Sequence, residues 1–289
     1  MSNAANLRKL LSSGKMIVAP GAIDCITGRA IAQAGFSAAY MTGAGTSATL
    51  GYPDYGLITM SEMVGNASRI ANSIDIPLIS DSDTGFGNEL NVFRTVQEFE
   101  RAGVAAIHIE DQVFPKKCGH LDNKELVSRE DFIAKIRAAS AARKSKDFCI
   151  IARTDSRAVA GLEEAIERAN AALANGADVA FVEAPQTMEE IESVPKRVNG
   201  PCLLNVVRGG KTPEIDLDVA ERMGYAIAIV PGLLLGGIIS TCDRLLGDLK
   251  QGKFPPVTGS PGKTFARFGA AEWDERRTAF RDPIKAAAE

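Results

Sequence analysis

The chain has 289 residues, 45% of them hydrophobic and 24% charged, which is enough apolar surface to bury a core and excludes global disorder. Its 33 basic and 36 acidic residues leave a net charge of −3 and are interspersed, with no basic stripe, so nucleic acid is not an expected partner. No apolar run reaches the roughly 20 residues that span a bilayer, and the longest, over 227–239, is broken by Pro231, Gly232, Gly236 and Gly237.

The polar stretch 1–15 lacks the positive-then-apolar layout of a secretory signal, which points to the cytoplasm. The five cysteines fall at irregular spacing and fit neither a disulfide framework nor a paired zinc site. Short runs of β-branched and small apolar residues then recur at 16–20, 38–42, 77–81, 105–110, 149–153, 179–183, 202–206 and 226–230. Amphipathic stretches lie between them, at 90–101, 129–143, 162–175 and 216–222, with Gly35, Gly103, Gly176 and Gly224 close to helix ends. Apolar strands alternating with helices predict a parallel sheet covered by helices, and eight such units close a (β/α)8 TIM-type barrel. Residues 1–251 are assigned to this catalytic barrel, the last part as a long helix over 231–250. Residues 252–289 form a helical tail, too short for a domain, that packs on the barrel or on another subunit.

An open doubly wound sheet is the rival, and the polar residues decide against it. Thr42, Asp81, Asp83, Glu110, Asp111, Arg153, Asp155, Glu183 and Asn205 all fall at or just past the C-terminal ends of predicted strands. A barrel gathers those ends at one mouth, whereas an open sheet spreads them along a crevice.

Several stretches carry chemistry. Asp81-Ser82-Asp83-Thr84-Gly85 sets two carboxylates beside glycines that let the backbone approach a ligand, and with Asp54, Glu110 and Asp111 these acids call for a hard cation such as Mg²⁺. The alternative is that they cap helices and turns. Lys116-Lys117-Cys118-Gly119-His120 places a thiol beside two lysines and a histidine. Positive charge there is expected to lower its pKa and make Cys118 an acid or a nucleophile. Cys25, Cys149, Cys202 and Cys242 read as structural, and His108, within an apolar strand, as a packed, hydrogen-bonded residue. Arg153 suits bidentate binding of a substrate carboxylate or an internal ion pair with Glu110 or Asp155, and the two are compatible. Thr42-Gly43-Ala44-Gly45 offers backbone N–H groups to an anion. The loop from Arg208 to Pro213 either binds an anion or turns.

Taken together, Asp81-Ser82-Asp83-Thr84-Gly85-Phe86-Gly87, Ile107-His108-Ile109-Glu110-Asp111-Gln112, Pro115-Lys116-Lys117-Cys118-Gly119-His120, Ile151-Ala152-Arg153-Thr154-Asp155 and Asn205-Val206-Val207-Arg208-Gly209-Gly210-Lys211-Thr212-Pro213 resemble the isocitrate lyase and phosphoenolpyruvate mutase superfamily. The Lys-Cys-Gly-His loop is similar to the mobile gate of its lyase branch. The resemblance implies a (β/α)8 barrel, a Mg²⁺ or Mn²⁺ cofactor, di- or tricarboxylate substrates, and a homotetramer that exchanges a C-terminal helix between subunits. It implies Asp83 as the direct metal ligand, with Asp54, Asp81 and Glu110 holding metal-bound water. It also implies Arg153, Thr42, Gly43, Ala44, Gly119, His120, Glu183, Asn205 and Thr212 as substrate contacts and Cys118 as general acid. Tyr40 matches a tyrosine near the reacting centre and is one candidate base, beside a carboxylate or a metal-bound water.

Cleaving C2–C3 of a 2-hydroxy acid needs a base on the hydroxyl, a Lewis acid on the forming oxo acid, and a proton for the carbanion. The branch that handles a tricarboxylate, by the same resemblance, carries an arginine shortly after the proline that follows the eighth strand. Here Leu233-Leu234-Leu235 stand there, with no basic residue until Arg244. The expected substrate is therefore a smaller alkylmalate of the 2,3-dimethylmalate type, split to an α-oxo acid such as pyruvate plus a carboxylic acid. The 2-methylisocitrate lyase and oxaloacetate hydrolase activities are the alternatives within the family, and a non-catalytic carboxylate-binding barrel is the alternative outside it.

Overall fold

A computed structural model describes residues 2–256 and 259–281. In chain order its elements are α1 (Asn3–Leu11), β1 (Ile17–Ala22), α2 (Cys25–Gln33), β2 (Ala39–Met41), α3 (Gly43–Thr49), α4 (Met60–Ala71), β3 (Leu78–Asp81), α5 (Glu89–Arg101), β4 (Ala106–Glu110) and α6 (Arg129–Ala142). Then follow β5 (Cys149–Thr154), α7 (Ser156–Ala160), α8 (Leu162–Ala174), β6 (Val179–Val182), α9 (Met188–Arg197), β7 (Cys202–Asn205), α10 (Leu217–Met223), β8 (Ile227–Val230), α11 (Gly232–Lys250), α12 (Pro261–Ala266) and α13 (Ala270–Arg281). Each strand pairs in parallel with the next, and β1 pairs with β8, so the sheet closes as the alternation predicted.

Local sequence sets the helix starts. Asp24 and Thr27, Thr59 and Glu62, and Asn88 and Asn91 form reciprocal capping boxes at α2, α4 and α5. The strands are buried nearly throughout because helices cover their outer face while the opposite face fills the barrel. Inward positions such as Ile79, Ile151, Phe181, Leu203, Ile227 and Ile229 form one apolar cluster. Ile107, Ile109 and Ile150 point outward, into the cluster beneath the helices.

Helix α1 was not anticipated from its polar sequence. Its Leu7 is buried in the inner cluster with Ala4, Leu10 and Leu11 against it. Its Arg8 bonds the carbonyls of Lys146, Asp147 and Phe148 and the Asp178 carboxylate, all just ahead of β5 and β6. Helix α1 thus plugs the N-terminal end of the barrel and leaves the C-terminal end as the open mouth.

The chain divides into two compact units, Met1–Gly237 and Ile238–Glu289. That division falls inside α11, whereas the sequence places it after that helix. None of the described side chains of α11, α12 or α13 is buried.

Candidate active site

Side chains alternate across a strand, so an inward residue deep in the barrel places another two positions on at the mouth. Tyr40 leads to Thr42, Ile79 to Asp81 and Asp83, His108 to Glu110, Ile151 to Arg153, Phe181 to Glu183, and Leu203 to Asn205. The mouth holds a cavity of about 150 Å³. It is lined by Tyr40, Thr42, Ala44, Asp54, Asp81, Cys118, Gly119, His120, Arg153, Glu183 and Asn205, with Val207, Pro231, Gly232 and Leu235 as an apolar side. Gly43, Asp83, Glu110 and Thr212 are buried beside it without lining it.

The acids sit together with Lys116 and Arg153 buried among them. Asp81 accepts from the backbone N–H of Gly43 at 3.2 Å and of Asp83 at 2.9 Å. Burial opposes its ionisation, yet His108, Lys116 and Arg153 hold it down to about 2. Burial, with Asp81 and Asp54 adding to it against the pull of Lys116, pushes Asp83 up to about 6. Glu110 is raised well above the carboxylate range, chiefly by burial, despite Arg153. The Lys116 ammonium pairs with Asp54 and, at 3.0 Å, with Asp83.

Asp83 Oδ1 lies 3.0 Å from Lys116 Nζ and Glu110 Oε2 lies 3.2 Å from Arg153 Nη1, so each acid meets a buried cation, while Glu110 Oε1 is buried without a donor. Among the described residues no three His, Cys, Asp or Glu side chains converge to hold an ion by themselves. Glu110 Oε1, buried and without a donor, is the atom of this group open to a metal-bound water. Asp111, expected in this group, is turned away. Its oxygens accept from Thr154 Oγ1 at 2.6 Å, Asp155 N at 2.8 Å and Arg168 Nη1 at 3.1 Å, so it braces the end of β5 against α8. Arg168 also holds Glu164, which reaches Arg129 at the start of α6.

Arg153 is clamped and nearly buried. Its Nε donates to Asp155 Oδ2 at 2.9 Å and Nη2 to Oδ1 at 3.2 Å, while Nη1 lies 3.2 Å from Glu110 and the guanidinium sits 5.2 Å above the Phe181 ring. The internal pair with Asp155 and the position in the cavity wall coexist, as the sequence allowed. Glu183 accepts from Asn205 Nδ2 at 3.2 Å and lies 3.0 Å from His120 Nε2, and His120 Nδ1 accepts from the Lys211 N–H at 3.0 Å. The loop after β7 therefore turns onto His120, with Thr212 buried next to that contact and its hydroxyl unpaired. Asn205 Oδ1 is also left without a donor.

The expectation that Cys118 is a low-pKa thiol is corrected. Burial pushes the thiol above its ordinary 9.0, with Asp54 and Glu183 adding to it and only the His120 N–H and Arg153 opposing. The neighbouring lysines do not face it: Lys116 turns to Asp54 and Asp83, and Lys117 Nζ donates to the Asn123 carbonyl. A protonated thiol suits an acid and not a nucleophile.

Tyr40 OH lies 2.8 Å from His108 Nε2 and 3.5 Å from Asp81. Burial, then Asp81, pushes the phenol well above its usual value, and burial lowers His108 to about 4, leaving it neutral. His108 is packed and hydrogen-bonded, as its strand position implied, but Tyr40 as its partner had no sequence signal. Two further residues had none either: Lys116 on the acids, and Lys124, which bonds Asp155.

Residues 7–248 match the phosphoenolpyruvate phosphomutase family. The 2,3-dimethylmalate lyase of Eubacterium barkeri is 50% identical over 232 residues, covering 80% of this chain and 80% of that protein. A 2-methylisocitrate lyase of Aeropyrum pernix is 44% identical over 245 residues, 85% of this chain and 79% of its own. Among solved structures, an oxaloacetate acetylhydrolase bound to 3,3-difluorooxalacetate superposes with a TM-score of 0.93 at 38% identity, covering 96% of this chain and 97% of that one.

Proposed function

Since the chain belongs to the phosphoenolpyruvate mutase and isocitrate lyase superfamily, we propose that it is a metal-dependent carbon-carbon lyase. Its substrate is a small 2-hydroxydicarboxylate such as 2,3-dimethylmalate, which it splits to pyruvate and a monocarboxylic acid. The observation that carries this reading is a cavity whose wall holds Arg153 and the Cys118 thiol together with apolar Val207, Pro231 and Leu235. Arg153 grips a carboxylate through the fork that Asp155 orients. The apolar side receives alkyl groups and offers no second arginine or lysine to a third carboxylate.

In the reaction the 2-hydroxyl proton leaves, C2 becomes a carbonyl, the C2–C3 bond breaks and its electron pair stays on C3. Tyr40, held 2.8 Å from His108 Nε2, is positioned beside the 2-hydroxyl as one candidate base, with a carboxylate of the acid cluster or a metal-bound water as the other acceptors of its proton. Cys118 then delivers a proton to C3 from a loop whose backbone is tied to Asp54 by the Cys118 N–H at 3.2 Å. Mg²⁺, or Mn²⁺, would bind through Asp83, with Asp54, Asp81 and Glu110 holding its waters, and supplies a Lewis acid for the growing charge on the 2-oxygen. Thr42 and Ala44 line the substrate's other end, with the Gly43 N–H behind them on Asp81, and Gly119, His120, Glu183 and Asn205 line the rest of the cavity, with Thr212 buried behind His120.

We place the protein in the cytoplasm, where its free cysteines stay reduced. No described helix is long and apolar enough to cross a membrane. We also propose a homotetramer that exchanges C-terminal helices. Its support is the exposure of Leu233, Ile238, Ile239, Leu246, Leu249 and Trp273 on helices with no buried side chain.

The test is pyruvate release in a coupled NADH assay with Mg²⁺ and an EDTA control, comparing 2,3-dimethylmalate with 2-methylisocitrate. Oxaloacetate is scored separately by acetate and oxalate. Faster metal-dependent turnover of the dimethylmalate supports the proposal. Preference for either other acid replaces the substrate, and no turnover of any of them leaves a carboxylate-binding barrel.

A further inference from the structure

Lys124 follows Cys118 in the loop that covers the mouth. Its side chain is 1% exposed, a place a lysine takes only when paired. Nζ lies 2.5 Å from the Gly119 carbonyl oxygen and 2.8 Å from Asp155 Oδ1. That same Asp155 oxygen accepts from Arg153 Nη2. A single ammonium thus joins the backbone between Cys118 and His120 to the carboxylate that orients Arg153.

The joined segment has no slack. A Cβ at Gly119 would meet Arg153 and come 2.6 Å from Glu183 Cγ, so the backbone lies directly on the two side chains. Without Lys124, the Gly119 carbonyl loses this donor and Asp155 keeps Arg153 as its one cation. Both losses are unfavourable in a buried site and are relieved when the loop lifts toward water.

We propose that Lys124 is a positioning residue that fastens the Cys118-Gly119-His120 segment onto the Arg153–Asp155 pair. It sets the thiol and the guanidinium relative to one another through one shared carboxylate. This rests on the reading of Cys118 as proton donor and Arg153 as carboxylate binder. Lys124 itself does not line the cavity.

The experiment is alkylation of Cys118 by iodoacetamide in the Mg²⁺-loaded full chain without substrate, resolved by peptide mass mapping. It compares the parent protein with Lys124→Met, Lys124→Gln and Lys124→Arg. Cys25 on α2, partly exposed and remote in sequence from the loop, is read in the same digest as the reference.

In Lys124→Met, Cys118 is expected to react about tenfold faster with Cys25 unchanged, and kcat to fall about 100-fold with a smaller change in KM. Lys124→Arg, which keeps the charge and the donors, should restore part of both. Lys124→Gln serves in place of Lys124→Met if that variant fails to fold. Unchanged alkylation of Cys118, or an equal rise at Cys25, overturns the proposal. Because alkylation needs no substrate, failure of the lyase reading is separate and shows as absent pyruvate release by the parent protein.

Discussion

Replacing Cys118 with serine isolates the proton donor. Serine nearly keeps the side-chain volume and can still face the His120 N–H, but its hydroxyl is a far weaker acid than a thiol. A positioned general acid contributes about 10²- to 10⁴-fold, or about 2.7–5.5 kcal/mol of barrier, so kcat should fall by that range. The side chain is partly exposed, and its swap should shift folding stability by less than about 1 kcal/mol.

The readouts are coupled pyruvate release for kcat, calorimetry for Mg²⁺ binding, which should be retained, and thermal melting. The pH profile adds an independent check. The active form is the protonated thiol, and its pKa lies above the ordinary 9.0. Activity therefore should not decline through loss of this proton between about pH 7 and 9. A Cys118→Ser variant within about threefold of the parent kcat would refute the assigned role.

Gly119→Ala puts a methyl group where Arg153 and Glu183 already stand, so kcat should drop about 100-fold and the fold lose about 1–3 kcal/mol, measured by the same assay and by calorimetric melting. Leu235→Arg adds a cation to the apolar side of the cavity. Substrate profiling should then show 2-methylisocitrate gaining and 2,3-dimethylmalate losing in kcat/KM, and no change would place the third-carboxylate contact elsewhere. EDTA should abolish turnover and Mg²⁺ restore it. Saturating Mg²⁺ at about 100 times its Kd should also stabilise the fold by about 2.7 kcal/mol, seen as a raised melting temperature.

The strands, their order and the polar residues at their ends were legible in the sequence because they follow from a period of two and from chain order. The loop over the mouth was not legible in the same way. Its five-residue Lys116-to-His120 stretch looks like a thiol among cations, yet the direction of each side chain depends on which acid it meets once the loop is down. Lys116 found Asp54 and Asp83, and the thiol found burial. Asp111 shows the same limit: one position after Glu110 on the strand, it points outward to Arg168 instead of to the mouth. Alternation predicts that reversal, and a count of acids at strand ends overlooks it. The polar N-terminal helix α1 was missed because few of its side chains are buried, Leu7 foremost among them.

The contacts of Asp111 carry a lesson for redesign. Arg129, Glu164 and Arg168 form an unbroken ionic chain from the solvent-facing ring of helices to Asp111, and from there to Thr154 and the backbone of Asp155 beneath the guanidinium of Arg153. Exchanging α8 for a foreign helix without Arg168 strands a buried carboxylate at the root of the substrate clamp, a loss on the order of 3–5 kcal/mol for a broken buried pair. Chimeras of this barrel should therefore be cut so that β4, β5 and α8 travel together.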